Sequence, residues 1–375
     1  MENSNYLKQL DGIRFIAITL VLIDHWSDYL LQFPISYLGV CMFFVLSGFL
    51  ITRILLNAKE KDETNGKGHG KSLKRFFIRR TIRIFPLYYL VIFTLYIFNV
   101  PPVREKLIWC LTYSTNIYIA FYQTWLGSID YLWSLAVEEQ FYIFFPFVVF
   151  YVPTHHLLKV LYGFIYLSVG LRLYFFMMGY SWMTPYVSMP TCLDAFGMGG
   201  LLAYFYWSKN HAVKEFITNK ILLVTSFVLY VGIVLLSKQL SNGQNVITIV
   251  FLRGFESLFS LFLVGNAAYG FKNIIWRKFL ENPVSVYLGR ISYGIYIFHY
   301  LLYKPALMDG SDEYKRSITF YTSKFLNKIY QFAPGISDSV SIRILILYII
   351  VVIIATFSWY LFEKPINNLK ERFGH

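Results

Sequence analysis

Arg14 and His25 are ionisable residues eleven positions apart in an otherwise apolar run, LDGIRFIAITLVLIDHW. If that run is a helix, eleven residues at about 100° each fall within about 20° of whole turns. Both side chains then share a face, about 16 Å apart along the axis. An imidazole near neutral pH is the usual general base. A histidine in such a run more often only hydrogen-bonds a neighbouring helix. The aligned arginine, and Asp24 beside the histidine, weigh against so plain a role, because ionisable groups inside apolar spans are costly and mark functional sites.

A second constellation is FFIRRTIRIFPLYYL, where Arg79, Arg80 and Arg83 lie within about one helical turn. Three guanidinium groups suit a polyanion such as the phosphates of a nucleotide cofactor. The same residues are also ordinary anchors and lipid-headgroup contacts at the end of a span. A third is WSLAVEEQFY, with Glu138 and Glu139. Adjacent helical positions are about 100° apart, so at most one glutamate is expected to face a given target. That target is a polar substrate or a buried arginine or histidine. Arg253 and Glu256 are expected to pair along one helix face. Arg172 and Asp194 are further buried charges with no assigned role. Tyr293, Tyr296 and His299 share one side of a later run. His155, His156 and His211 read as solvated. HExxH, Walker A, GxSxG and EF-hand patterns are absent, so no metal site is expected.

The elements that must position these residues are membrane helices. Of 375 residues 57% are hydrophobic and 15% charged, against about 25% charged in soluble domains. The apolar runs are continuous and about 20 residues long, the length of a spanning helix, and do not alternate as barrel strands do. The 36 Phe and 31 Tyr suit interfacial aromatic belts. The reading is an all-α, polytopic membrane helix bundle forming one domain over 1–375. Spans are expected at 10–31, 37–57, 77–99, 133–152, 157–178, 191–207, 220–237, 246–270, 286–306 and 342–362. The segment 107–123 is ambiguous: short, and carrying Thr112, Ser114, Thr115 and Asn116.

Loop charge chooses between ten spans and eleven. With ten and a cytoplasmic N-terminus, the basic segments 58–76, 208–219, 271–285 and 363–375 all fall inside. Outside, 179–190 carries no Lys or Arg and 238–245 only Lys238. Eleven spans would invert every loop after 123. The moderately basic segment 307–341 is a mild exception. The net charge of +13 sits between apolar runs, so topology accounts for it and nucleic acid is not an expected partner. Cys41, Cys110 and Cys192 are too scattered for a disulfide framework or zinc site. No classical cleavable signal is expected at the N-terminus, where the apolar run continues to about Leu31 and reads as the first span. The polar segment 58–72 reads as a flexible loop.

Taken together these residues resemble membrane acyltransferase family three, the integral-membrane O-acyltransferases that modify bacterial surface glycans. Arg14 and His25 match its arginine–ten residues–histidine motif. Ser47, Gly48 and Phe49 match its Ser-Gly-Phe element, and Arg79, Arg80 and Arg83 its arginine-rich motif. WSLAVEEQFYIFFP is close to another family segment, with Ala136 where Ser is common; ISYGIYIFH and FEKP are also similar. The resemblance covers 10–365. It implies an acyl-CoA donor, usually acetyl-CoA, on the cytoplasmic face of the bacterial inner membrane, with both termini there. It implies a glycan or lipid-linked glycan acceptor. Arg79, Arg80 and Arg83 would then bind the CoA phosphates, which makes CoA a substrate; no bound cofactor is expected. Arg14 would hold or polarise the thioester, and His25 would deprotonate the acceptor with Asp24, Glu138 or Glu139 orienting it. Glu139 joins Arg14 and His25 as a catalytic candidate. Asp24, Glu138, Trp133, Ser134, Tyr293 and His299 are substrate-binding candidates. Something must still carry the acyl group across the roughly 16 Å between Arg14 and His25.

Many relatives carry a C-terminal extracytoplasmic domain, so a chain ending at His375 is expected to be a self-sufficient integral enzyme. Asp194 lacks the preceding arginine common in the family. Macrolide, lipochitooligosaccharide or peptidoglycan acceptors preserve the chemistry. A proton-coupled transporter is the competing class, but no internal symmetry with helices broken at matching positions supports it.

Overall fold

The computed structural model describes residues 6–27, 35–240, 245–303, 328 and 340–370. The first apolar run forms α1 (Lys8–Trp26). It packs against α2 (Ile35–Thr64), and later against α12 to α16, so it lies in the interior. Ile13, Ala17, Ile18, Val21 and Leu22 have no exposed surface. That interior place is what lets a helix carrying Asp11, Arg14 and Asp24 sit inside a membrane bundle: these charges are screened from lipid by other helices, while Lys8 at the helix start is exposed.

The remaining elements are α3 (Gly70–Ile97), α4 (Leu107–Leu111), α5 (Thr115–Tyr122), α6 (Leu132–Tyr151), α7 (Thr154–Met177), α8 (Met183–Val187) and α9 (Leu193–Trp207). They are followed by α10 (His211–Ile217), α11 (Lys220–Gln239), α12 (Leu252–Tyr269), α13 (Ile274–Leu280), α14 (Pro283–Arg290) and α15 (Ser292–Tyr303). The last are α16 (Val340–Ser358) and α17 (Lys364–Asn368), joined by a π-turn over Trp359–Glu363. Among the described residues no strand occurs, as expected for an all-α bundle. Among the described residues, seven helices are long and apolar enough to cross a membrane. The other three expected spans coincide with α1, which is too charged to qualify, α9, which is short, and α14–α15, which breaks at Ile291. Apolar side chains on α7, α11 and α16, such as Tyr166, Val228 and Phe357, point outward.

The segment 107–123 does not form one helix. It breaks at Thr112–Ser114 into two pieces too short to span. The segment 58–72 is not a flexible loop either. α2 runs on to Thr64 and α3 starts at Gly70. Asp62 closes the hairpin, accepting from the Ser72 hydroxyl at 2.9 Å and bonding His69 Nδ1 at 3.2 Å. The sequence missed this because the pinning carboxylate and its partners lie seven and ten residues apart across the turn.

Small residues set the closest helix packing. A Cβ on Gly199 would fall inside the backbone of Val45, and one on Gly48 would meet the Phe196 carbonyl. These contacts bring α2 and α9 together as glycines do in membrane bundles. Gly289 similarly lets α14 lie against the Asp11 backbone of α1. By contrast α3 touches its neighbours only lightly, which leaves a space between it and α1, α2, α6 and α15.

Candidate active site

That space is a cavity of about 910 Å³. Among the described residues, eight basic ones line it: Arg14, Arg53, Lys61, Arg75, Arg79, Arg80, Arg83 and Lys370. Three described acids line it: Asp11, Glu138 and Glu139. Arg79, Arg80 and Arg83 thus face one cavity, as their spacing on α3 suggests. Lys61 and Arg75 lie in the basic segment 58–76, where loop charge reads as topology, and Arg53 lies inside the second apolar run, where the sequence reading does not single it out. Lys370 follows α17, and its ammonium donates to Asn367. Burial, then the positive field of Arg83, Arg80 and Arg79, pushes its pKa down to about 8.

Arg14 donates to Asp11, whose second oxygen accepts from the Tyr6 hydroxyl. Deeper in, Ser47 and Tyr142 both donate to Glu138, at 3.0 and 2.9 Å, and lie 2.8 Å from each other. The Arg80 guanidinium sits 4.3 Å over the Tyr142 ring. The Ser-Gly-Phe element therefore has two tasks: Ser47 fixes Glu138, and Gly48 admits α9. Glu138 and Glu139 both line the cavity although successive helical positions diverge, because the cavity is wide enough to meet both. Glu139 is 6% exposed and has no hydrogen-bond partner among the described residues. A buried carboxylate left unmatched inside a cavity is a group placed for something else to meet.

The far end of the cavity is formed by Ser134, Tyr293 and Tyr296. The Tyr296 hydroxyl lies 2.6 Å from Ser134 Oγ and donates to the Tyr131 carbonyl at 2.9 Å. Tyr293 donates to the Ile84 carbonyl at 2.8 Å, tying α15 to α3. Trp133 turns away, packing on Phe44 and Tyr186.

One turn along α15 from Tyr296 lies His299, fully buried. It is not placed to touch a ligand in this cavity; it holds His25. His299 Nδ1 is 2.6 Å from the Tyr296 carbonyl, and its Nε2 is 2.9 Å from His25 Nδ1. A carbonyl only accepts, so the proton sits on His299 Nδ1 and a neutral ring has its lone pair on Nε2. That lone pair accepts from His25 Nδ1–H, which puts the lone pair of His25 on Nε2. The second ring thus fixes the tautomer and orientation of the first, as a carboxylate does in hydrolytic triads. Asp24, Glu138 and Glu139 do not fill that place. Asp24 accepts from Ser36, and the two glutamates belong to the cavity. The pairing of His25 with His299, 274 residues apart, has no signature in local spacing.

Other expectations change. Arg253 and Glu256 interact through their charges but form no direct ion pair; Arg253 donates to the Thr191 and Tyr186 carbonyls and to Cys192 Sγ. Arg172 and Asp194 do pair, at 2.7 Å, both buried. The three cysteines are separate buried thiols.

Comparison with known proteins decides the family. The profile described as "Acyltransferase domain" matches residues 7–363. The chain belongs to this acyltransferase family. A Staphylococcus aureus (strain COL) protein provisionally named an O-acetyltransferase is 31% identical over 323 residues, covering 80% of this chain and 51% of that protein. The O-acetyltransferase OatA of Staphylococcus aureus (strain NCTC 8325 / PS 47) is 27% identical over 319 residues, with the same coverage. The chain spans about half the length of these curated relatives. No solved structure matches it.

Proposed function

We infer that the chain is a membrane O-acyltransferase that moves an acyl group, acetyl from acetyl-CoA in the leading reading, to a hydroxyl of a cell-surface polysaccharide or its lipid-linked precursor. The observation that carries this is the shape of the basic cavity. Its eight cations suit the phosphates of CoA. Its far end, at Ser134 and Tyr296, is one helical turn from the His25–His299 pair. The long gap between Arg14 and His25 is therefore mostly spanned by one cavity that an acyl-bearing arm can enter.

In the reaction, His25 Nε2 takes the proton of the acceptor hydroxyl as its oxygen attacks the thioester carbonyl. The C–S bond breaks, and the proton passes to the departing CoA thiolate. The products are the O-acyl glycan and free CoA. His299 supports the imidazolium that forms transiently. Arg14, steadied by Asp11, polarises or holds the donor. Glu139 meets a polar part of the bound substrate.

The orientation that fits is the bacterial inner membrane with the basic mouth in the cytoplasm, where acyl-CoA is made. Tyr6 and Lys370, at the two ends of the described chain, line the same cavity. That supports an even number of crossings, with both termini on the side of the basic mouth, and agrees with ten spans.

Acetyl-CoA binding to the purified protein tests the donor site. Arg80→Ala removes a charged partner typically worth about 1.5–3 kcal/mol, so affinity should fall roughly tenfold to hundredfold. Unchanged affinity would remove CoA from this cavity.

A further inference from the structure

A second cavity of about 460 Å³ lies between α2, α7, α8, α11 and α12, beside the Asp24 end of α1. The acyl-transfer steps above do not use it. Its volume falls within the range of about 300–1,000 Å³ common for small-ligand sites.

One wall is aromatic. The Tyr37 and Tyr186 rings stack at 4.3 Å, and Trp182 stands edge-on to Tyr186 at 5.3 Å. Aromatic residues at a membrane boundary usually form a belt facing lipid. These do not. Tyr37 is only 9% exposed, and the buried Arg253 guanidinium lies 4.8 Å over its ring and 5.8 Å over that of Tyr186. Arg253 also donates to the Tyr186 carbonyl at 2.6 Å. A lipid-facing surface has no use for a buried cation behind it; a wall that must keep its shape does. Ser36, Ser237 and Thr248 line the cavity, as do Arg172 and Lys238; the three hydroxyls donate to Asp24, the Val234 carbonyl and Asn245, which leaves their oxygens to accept. Flat rings edged with hydroxyls suit a pyranose, whose C–H faces stack on aromatics while its own hydroxyls seek polar partners.

The position of this cavity relates it to the reacting groups. Ser36 donates to Asp24, the neighbour of His25. Trp133 packs behind Tyr186 at 5.1 Å and is followed directly by Ser134, which lines the basic cavity. The two cavities thus lie on opposite sides of the first turn of α6.

We propose that the second cavity is the saccharide subsite for the acceptor: a sugar ring rests on Trp182, against the edge of Tyr186, so that the glycan reaches the His25 level from the side opposite the basic mouth. This rests on the acyl-transfer reading.

The test compares surface-glycan acetylation in cells with acetyl-CoA binding by the purified protein. Trp182→Ala combined with Tyr186→Ala should lower glycan acetyl about tenfold or more, as loss of aromatic anchors does, and leave acetyl-CoA affinity unchanged. Unaltered acetylation overturns the proposal. A Thr248→Cys protein guards against simple misfolding, since it folds before it is challenged. Because Cys41, Cys110 and Cys192 are buried, a bulky maleimide added to intact membranes reacts at position 248. Acetylation should be lost on modification, with acetyl-CoA binding kept; equal acetylation before and after overturns the proposal. If the unaltered protein acetylates no glycan, it is the acyl-transfer reading that has failed.

Discussion

At the scale of single residues, the account turns on which groups meet. Arg14, Arg79, Arg80, Arg83, Glu138, Glu139, Ser134 and Tyr293 all line the basic cavity, and each was legible from residue type and place. His25 was legible too, but its partner was not, because the Nδ1 contact to His299 joins opposite ends of the chain. The paired rings predict a split between two substitutions. His25→Ala removes the base and should lower acyl transfer about 10²–10⁴-fold. His299→Gln keeps an acceptor for His25 Nδ1–H in its amide oxygen, but a far less basic one than the imidazole nitrogen; activity should fall less, and the pH–rate profile should shift. An unshifted profile would reduce His299 to packing. Lys370 makes a second prediction. Its pKa, pushed down to about 8 by burial and the α3 arginines, leaves it protonated below that value and neutral above. A polyanion favours the charged form, so acetyl-CoA affinity should be full below pH 8 and weaken as pH rises through it. Lys370→Arg should remove that step, since guanidinium keeps its charge. Isothermal titration between pH 7 and 9 reads both proteins.

At the scale of elements, the glycines explain why a short motif was recognisable. Ser47 needs α2 to hold it against Glu138, and α2 is placed by its contact with α9 through Gly48 and Gly199. Gly48→Val should force the two helices apart, costing about 1–3 kcal/mol or more, and lower the thermal midpoint in detergent. A wild-type midpoint would contradict the packing argument. The helices themselves were largely legible, because apolar runs of membrane length have few alternatives. Their breaks were not. The interruption at Ile291 and the π-turns at Ile247–Phe251 and Trp359–Glu363 fall inside apolar sequence that hydropathy reads as continuous. The hairpin at 58–72 failed in the other direction, because polar, Gly-containing composition concealed a carboxylate clamp.

At the scale of the whole molecule, the arrangement is two cavities on either side of α6, with α1 running beside both. α1 carries Arg14 toward one and Asp24 toward the other, and His25 lies next to Asp24. Loop charge gives the sequence an expected orientation, and Tyr6 and Lys370, lining one cavity, put the two ends of the described chain on the same side. Cysteines introduced at Ser181 and Lys272 should label from opposite faces of sealed membranes; same-side labelling would reject the topology. The cavities themselves could not be read from the chain, since each is a space left between helices that lie far apart in sequence. The most direct test of the central claim is mass spectrometry of surface glycans from three matched strains: without the gene, with it, and with His25→Ala. The account predicts an added acetyl mass on a defined sugar only with the unaltered gene. Full acetylation with His25→Ala would contradict it.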